Sequence, residues 1–162
     1  MANDNQAIKL LILDDSQNNA ERMVSLLRNA GHATRAHRVT SIEDLQECLQ
    51  QNWDICLAQT ETSYMTAEDA ITLIKRQSRD IPFILLKPEI DLEMRTEALR
   101  SGMTDAVPHD ADVLLTLIVD RELANLNARR QRRIVEQTLR EAEKRCQLLL
   151  DSSVDAIAYV HD

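Results

Sequence analysis

The 162-residue chain carries a formal net charge of −8 and is 44% apolar, yet it holds one Phe, one Trp and two Tyr, so any core it buries is aliphatic. That length suits one domain with an appendage, and the acidity disfavours nonspecific binding to nucleic acid or anionic lipid. Two Gly and three Pro argue against a loop-rich all-β fold, and three widely spaced cysteines point to neither a disulfide framework nor a zinc site; no cofactor is expected, and no residue is assigned as a metal ligand.

Residues 8–110 alternate short apolar runs with helical periods, the pattern of βα units around a parallel sheet. Ile8–Leu13 is the first predicted strand and ends in the acid pair Asp14-Asp15. A helix follows over about 17–30, with Val24, Leu26 and Leu27 on its apolar side and Gly31 at its end. Ala33–Val39 reads as a half-exposed strand. Ser41 then caps a helix in capping-box style with Asp44, carrying Leu45 and Leu49 inward. Trp53 precedes the third strand, 54–58, as a packing lid, and Cys56 within that strand behaves as a small hydrophobe. A helix over about 67–78 carries Ile71 and Ile74. Residues 81–86 form strand four, with Pro82 near its start where no ladder donor is missed. A helix near 91–101 ends at Gly102, and 105–107 is a short fifth strand. The fold class is therefore α/β: a five-stranded, doubly wound parallel sheet of the flavodoxin or receiver type, with ligands expected at the carboxyl ends of the strands.

After Asp110 the character changes. Residues 111–150 hold neither Gly nor Pro, and one continuous helix there would run on the order of 60 Å. Steps of +4 and +3 from Leu114 visit Ile118, Arg121, Asn125, Ala128, Arg132, Val135, Leu139, Ala142, Cys146 and Leu149. This seam is apolar at both ends and polar in the middle, which predicts a homodimeric parallel coiled coil with a weak centre. The alternative is one helix whose first half packs on its own domain. Arg129–Arg133 reads as a solvated helix face. The expected organisation is a receiver-like domain over 1–127, a helical linker over 128–147, and over 148–162 the opening of a following domain that looks like the start of a PAS sensor, stopping in a strand without partners, as in a piece of a longer protein. The polar amino terminus has no signal-peptide core and no run reaches transmembrane length, which predicts a cytoplasmic location.

The first 110 residues resemble bacterial two-component receiver domains. The resemblance rests on the acid pair after strand one, on 54–58, on Ile81–Leu86 and on Ala98–Gly102. It implies five positions for phosphoryl chemistry. Asp14 and Asp15 match the magnesium-binding acids; the acceptor aspartate position holds Gln59, the strand-four Ser/Thr position Lys87, the strand-five aromatic position Ala106, and the Lys position His109. The chain thus resembles a degenerate receiver, and in particular the amino-terminal receiver of FimX-like receiver-PAS-GGDEF-EAL proteins. That likeness implies cyclic di-GMP signalling, type IV pilus control and twitching motility, and recruitment to the cell pole by a protein partner.

An amide cannot form an acyl phosphate and ligates magnesium more weakly than a carboxylate. Two carboxylates about 4 Å apart repel by roughly 4 kcal/mol at an effective dielectric near 20, so Lys87 is expected to bridge to Asp14 or Asp15, or else to be a solvated loop lysine. The acid pair either keeps weak metal binding or simply caps the following loop. His109 reads as polar surface. The leading expectation is a noncatalytic signalling and interaction module, not an enzyme. The alternatives are phosphorylation at a non-standard residue, Glu61 or Asp105, or regulation by a ligand at the strand ends.

Overall fold

The computed structural model describes residues 7–77 and 79–160, with side chains as far as Cys146. Two compact units emerge, Met1–Leu126 and Asn127–Asp162.

In the first unit five strands, β1 (Ile8–Leu13), β2 (Thr34–Arg38), β3 (Ile55–Gln59), β4 (Phe83–Lys87) and β5 (Asp105–Pro108), form one parallel sheet in the order β2-β1-β3-β4-β5. Strands covered on both faces should be apolar at nearly every position, and Leu10–Leu13, Ile55–Ala58 and Phe83–Leu86 are all buried. The edge strand β2 differs: Arg35 and Ala36 are exposed, and only Thr34 is buried.

The helices are α1 (Gln17–Asn29), α2 (Ile42–Cys48), α3 (Ala67–Arg76), α4 (Leu92–Arg100) and α5 (Asp112–Val160). Each of the first four begins at a side chain that accepts a backbone N–H of the first turn: Ser16, Ser41, Thr66 and Asp91. The capping box expected at Ser41 is shifted by one residue. Ser41 Oγ accepts the Asp44 N–H at 3.0 Å, but the Asp44 carboxylate accepts the N–H of Thr40, also at 3.0 Å. Helices α1 and α4 are followed by Gly31 and Gly102 at φ 97° and 94°, a left-handed turn that a β-carbon would strain.

Alternation along the strands divides the core into two layers. Leu11, Cys56, Ala58, Phe83 and Leu85 meet α2, α3 and α4 through Leu45, Ile71, Ile74 and Ala98. Leu10, Ile12, Leu57 and Ile84 meet α1 and α5 through Ala20, Met23, Leu27, Leu115, Ile118 and Val119. The inward face of α1 is therefore Ala20–Met23–Leu27, with Val24 and Leu26 at its margins. Trp53 is buried and its indole N–H donates to the Cys48 carbonyl at 2.7 Å, a packing role.

One member of the expected dimer seam belongs to this core. Ile118 is 6% exposed and packs in the α1/α5 layer, because the sheet face must be covered by the first turns of α5. Leu114 stays 46% exposed. In the second unit Val135 and Leu139 are 64% and 57% exposed, and Ala142 and Cys146 are exposed too. Leu149 lies beyond the described side chains. Where the sequence predicts a terminal strand, α5 stays helical to Val160: a lone segment has no neighbour for a strand's hydrogen bonds, whereas a helix satisfies its own backbone. The side chains of the PAS-like stretch fall outside the described residues. No described helix is long and apolar enough to cross a membrane.

Candidate functional site

Strand order reverses between β1 and β3, so the loops after these strands diverge and leave a crevice at their carboxyl ends. Register brings Leu13 beside Ala58, Gln59 beside Leu86 and Lys87 beside Pro108. The residues that follow the strands therefore meet there.

Asp14 is 4% exposed. One of its oxygens accepts the Ser16 N–H at 2.8 Å, and the other accepts the side-chain amide of Gln59 at 3.2 Å. Asp15 is exposed and turns to the β3–α3 loop, where the Ser63 N–H and hydroxyl reach its two oxygens at 2.8 and 3.0 Å. Arg38, at the end of β2, donates to the backbone carbonyls of both acids at 3.4 Å. Tyr64, next to Ser63, donates its hydroxyl to the Val39 carbonyl at 2.8 Å, and burial, aided by the Asp15 charge, pushes its phenol up to about 12. The capping role expected of the acid pair is thus present at Asp14, which braces the Ser16 turn that opens α1, while Asp15 pins the opposite loop.

The expected bridge from Lys87 is not formed: among the described residues no ion pair joins Lys87 to Asp14 or Asp15. Two features of the sheet explain this. Strand β3 stands between β1 and β4, and alternation puts Lys87 on the side of Phe83 and Leu85. There it lines a hollow of about 240 Å³ with Thr60, Glu61, Glu97 and Met103. Ala106 is buried in the same layer. His109 closes the β5 side, its N–H donating to the Lys87 carbonyl at 2.7 Å with Nδ1 at 3.3 Å from the same oxygen. The His109 carbonyl in turn accepts from Arg22 of α1 at 2.6 Å.

The two alternative acceptors are placed differently. Glu61 is exposed on the β3–α3 loop. Asp105 is 2% exposed and both its oxygens are occupied: Arg95 Nε reaches Oδ1 at 3.0 Å and Arg121 Nη2 reaches Oδ2 at 3.4 Å. Arg121 also pairs with Glu122 at 2.9 Å, tying α4, β5 and the start of α5 together. Sequence reasoning passed over Arg38, Ser63 and Arg95, and placed Arg121 on the dimer seam instead of beside Asp105; the contacts of Arg38, Ser63 and Arg95, and that of Arg121 with Asp105, each span separate elements, so no spacing marks them.

No protein-family model matches the sequence. Among solved structures, the signal receiver domain of an HD-domain-containing protein from Pseudomonas fluorescens Pf-5 superposes with a TM-score of 0.66 over 79% of this chain and 95% of its own, at 19% identity. The fold is that of a response-regulator receiver domain. A second example is the receiver domain of a sensor histidine kinase from Pseudomonas aeruginosa PAO1, which has a magnesium ion coordinated in its active-site cleft; it covers 74% of this chain and 99% of its own, with a TM-score of 0.62 and 21% identity. A curated relative, the phosphoglycerate transport system transcriptional regulatory protein PgtA of Salmonella typhimurium, is 27% identical over 140 residues, 83% of this chain. The chain spans about a third, 33%, of that protein's length.

Proposed function

We propose that this receiver fold works as a noncatalytic signalling and interaction module in which Gln59 stands at the phosphoacceptor position. The observation that carries the reading is the Gln59–Asp14 hydrogen bond. It sets a neutral amide, unable to form an acyl phosphate, against the acid that would otherwise share a cation with a third carboxylate. Ala106 strengthens it, since a methyl group has no aromatic ring to rotate in answer to a phosphoryl group. The output is geometric: the module pairs with a second copy through the exposed seam Val135, Leu139, Ala142 and Cys146, and hands that pairing on along the helix. Likeness to FimX-like proteins supplies the wider role, relaying or localising a cyclic di-GMP-related output and pilus function at the cell pole through a protein partner.

The hollow beside Lys87 favours one second reading, a small ligand held at the strand ends. An amide NMR titration with magnesium and beryllofluoride, a phosphoryl mimic, separates the cases. The proposal expects no saturable shift in the native chain and saturable shifts in Gln59→Asp. Saturable shifts around Asp14, Asp15 and Gln59 in the native chain would contradict it.

A further inference from the structure

Away from the strand-end crevice, β2 and α2 bring together three side chains of three donor types. His37 lies near the end of β2. Asp44 and Cys48 stand four residues apart on α2, hence one above the other on a single helix face. His37 Nε2 is 3.1 and 2.9 Å from the two Asp44 oxygens, and Cys48 Sγ is 3.7 Å from Asp44 Oδ1. One ligand atom from each residue lies within 4.8 Å of the others. Around a tetrahedral zinc ion, with bonds of about 2.0–2.3 Å, ligand atoms sit roughly 3.3–3.7 Å apart. The cluster needs only small side-chain movements to match that spacing.

We propose that His37, Asp44 and Cys48 form a binding site for a divalent transition-metal ion of the zinc class, with solvent completing the coordination. The donor set selects the ion: imidazole and thiolate suit zinc or cobalt, whereas magnesium and calcium demand oxygen. Access fits as well. The His37 side chain is 44% exposed, giving an entry path, while Cys48 forms the buried floor. The carboxylate is already oriented, because Asp44 Oδ2 also accepts the N–H and hydroxyl of Thr40 at 3.0 and 3.3 Å. Burial works to raise the Asp44 carboxyl, but hydrogen bonds from His37 and Thr40 outweigh it and leave the acid below its ordinary value. The Cys48 thiol is pushed up to about 11 by burial and by the Asp44 charge, and a bound dication reverses that second influence by taking the thiolate as a ligand. Cysteine spacing alone gave no hint of this, since only one of the three donors is sulfur. The site shares no residue with the crevice, so it stands or falls apart from the phosphoacceptor reading.

Cobalt(II) is the probe. Trp53, the one tryptophan in the chain, has its ring 6.2 Å from that of His37 and reports binding by quenching. Titration of the reduced 162-residue chain with cobalt(II) is expected to give saturable quenching and a thiolate-to-cobalt charge-transfer band, both reversed by zinc and not by magnesium. Cys48→Ser removes the band, and His37→Gln, which leaves α2 untouched, weakens binding more than about 100-fold, since losing even an outer-sphere partner costs 10–100-fold. Cys146→Ser, at the exposed thiol of the second unit, changes neither signal. Circular dichroism confirms the fold of each variant, and should Cys48→Ser fail to fold, His37→Gln decides. Absence of a saturable band in the native chain, its survival in folded Cys48→Ser, full-strength binding by His37→Gln, or loss of the band in Cys146→Ser overturns the proposal.

Discussion

Asp14, just past the carboxyl end of β1, and Asp105, the first residue of β5, stand on one sheet with β3 and β4 between their strands; they are almost equally hidden, 4% and 2% exposed, yet they are held by different chemistry. Asp105 meets cations, Arg95 from α4 and Arg121 from α5. Among the described residues the Asp14 carboxylate meets neutral donors, the Ser16 N–H and the Gln59 amide, while Arg38 reaches its backbone carbonyl. A buried carboxylate between two guanidinium groups is a structural tie, because its charge is answered within the protein. A buried carboxylate facing an amide is held by hydrogen bonds without a countercharge from that neighbour. The difference teaches where this molecule ties elements together with charge, the α4–β5–α5 corner, and where a buried acid is held by neutral hydrogen bonds instead.

The strongest way to break the comparison is to strip Asp105 of both cations. Arg95→Ala/Arg121→Ala leaves a buried acid uncompensated and is expected to lower unfolding free energy by about 3–5 kcal/mol in urea melts; a loss under about 1 kcal/mol would show that Asp105 needs no cation either. Next comes Gln59→Asp. It exchanges a hydrogen bond to a charged group for like-charge repulsion and should cost about 2–4 kcal/mol in chelator, recovered when magnesium is added. An unchanged melt with and without magnesium would mean that Asp14 does not feel the residue at 59. Ser63→Ala removes one of two donors to the exposed Asp15 and should cost about 0.5–1 kcal/mol in the same assay. The smallest effect belongs to Lys87→Ala. With no ion pair to either acid, it should move stability by less than about 0.5 kcal/mol and leave magnesium sensitivity alone; a larger, magnesium-dependent loss would restore the bridge that the sheet geometry disfavours.

Most of the fold was legible because strands buried on both faces announce themselves as apolar runs, and Leu10–Leu13, Ile55–Ala58 and Phe83–Leu86 each do so between helical periods. At the strand ends the positions of side chains were legible, but not their contacts. Asp14, Asp15 and Gln59 could be placed from strand ends, yet whether Lys87 reached them turned on which face of β4 it occupies and on the strand lying between, facts of register that no spacing records. Ile118 was drawn into the dimer seam by the heptad step, and it was the second layer of the core, filled by Leu115, Ile118 and Val119, that claimed it. The cation ties of Asp105 link residues 10 and 16 positions apart on three elements, beyond any local pattern.

The most direct test of the central claim is intact-protein mass spectrometry after incubation with magnesium and acetyl phosphate, a small phosphodonor, for the native chain and for Gln59→Asp. The account predicts no covalent phosphoryl group on the native chain and one, acid-labile in the manner of an acyl phosphate, on Gln59→Asp. A stoichiometric adduct on the native chain would contradict it and place the acceptor at another carboxylate, Glu61 first.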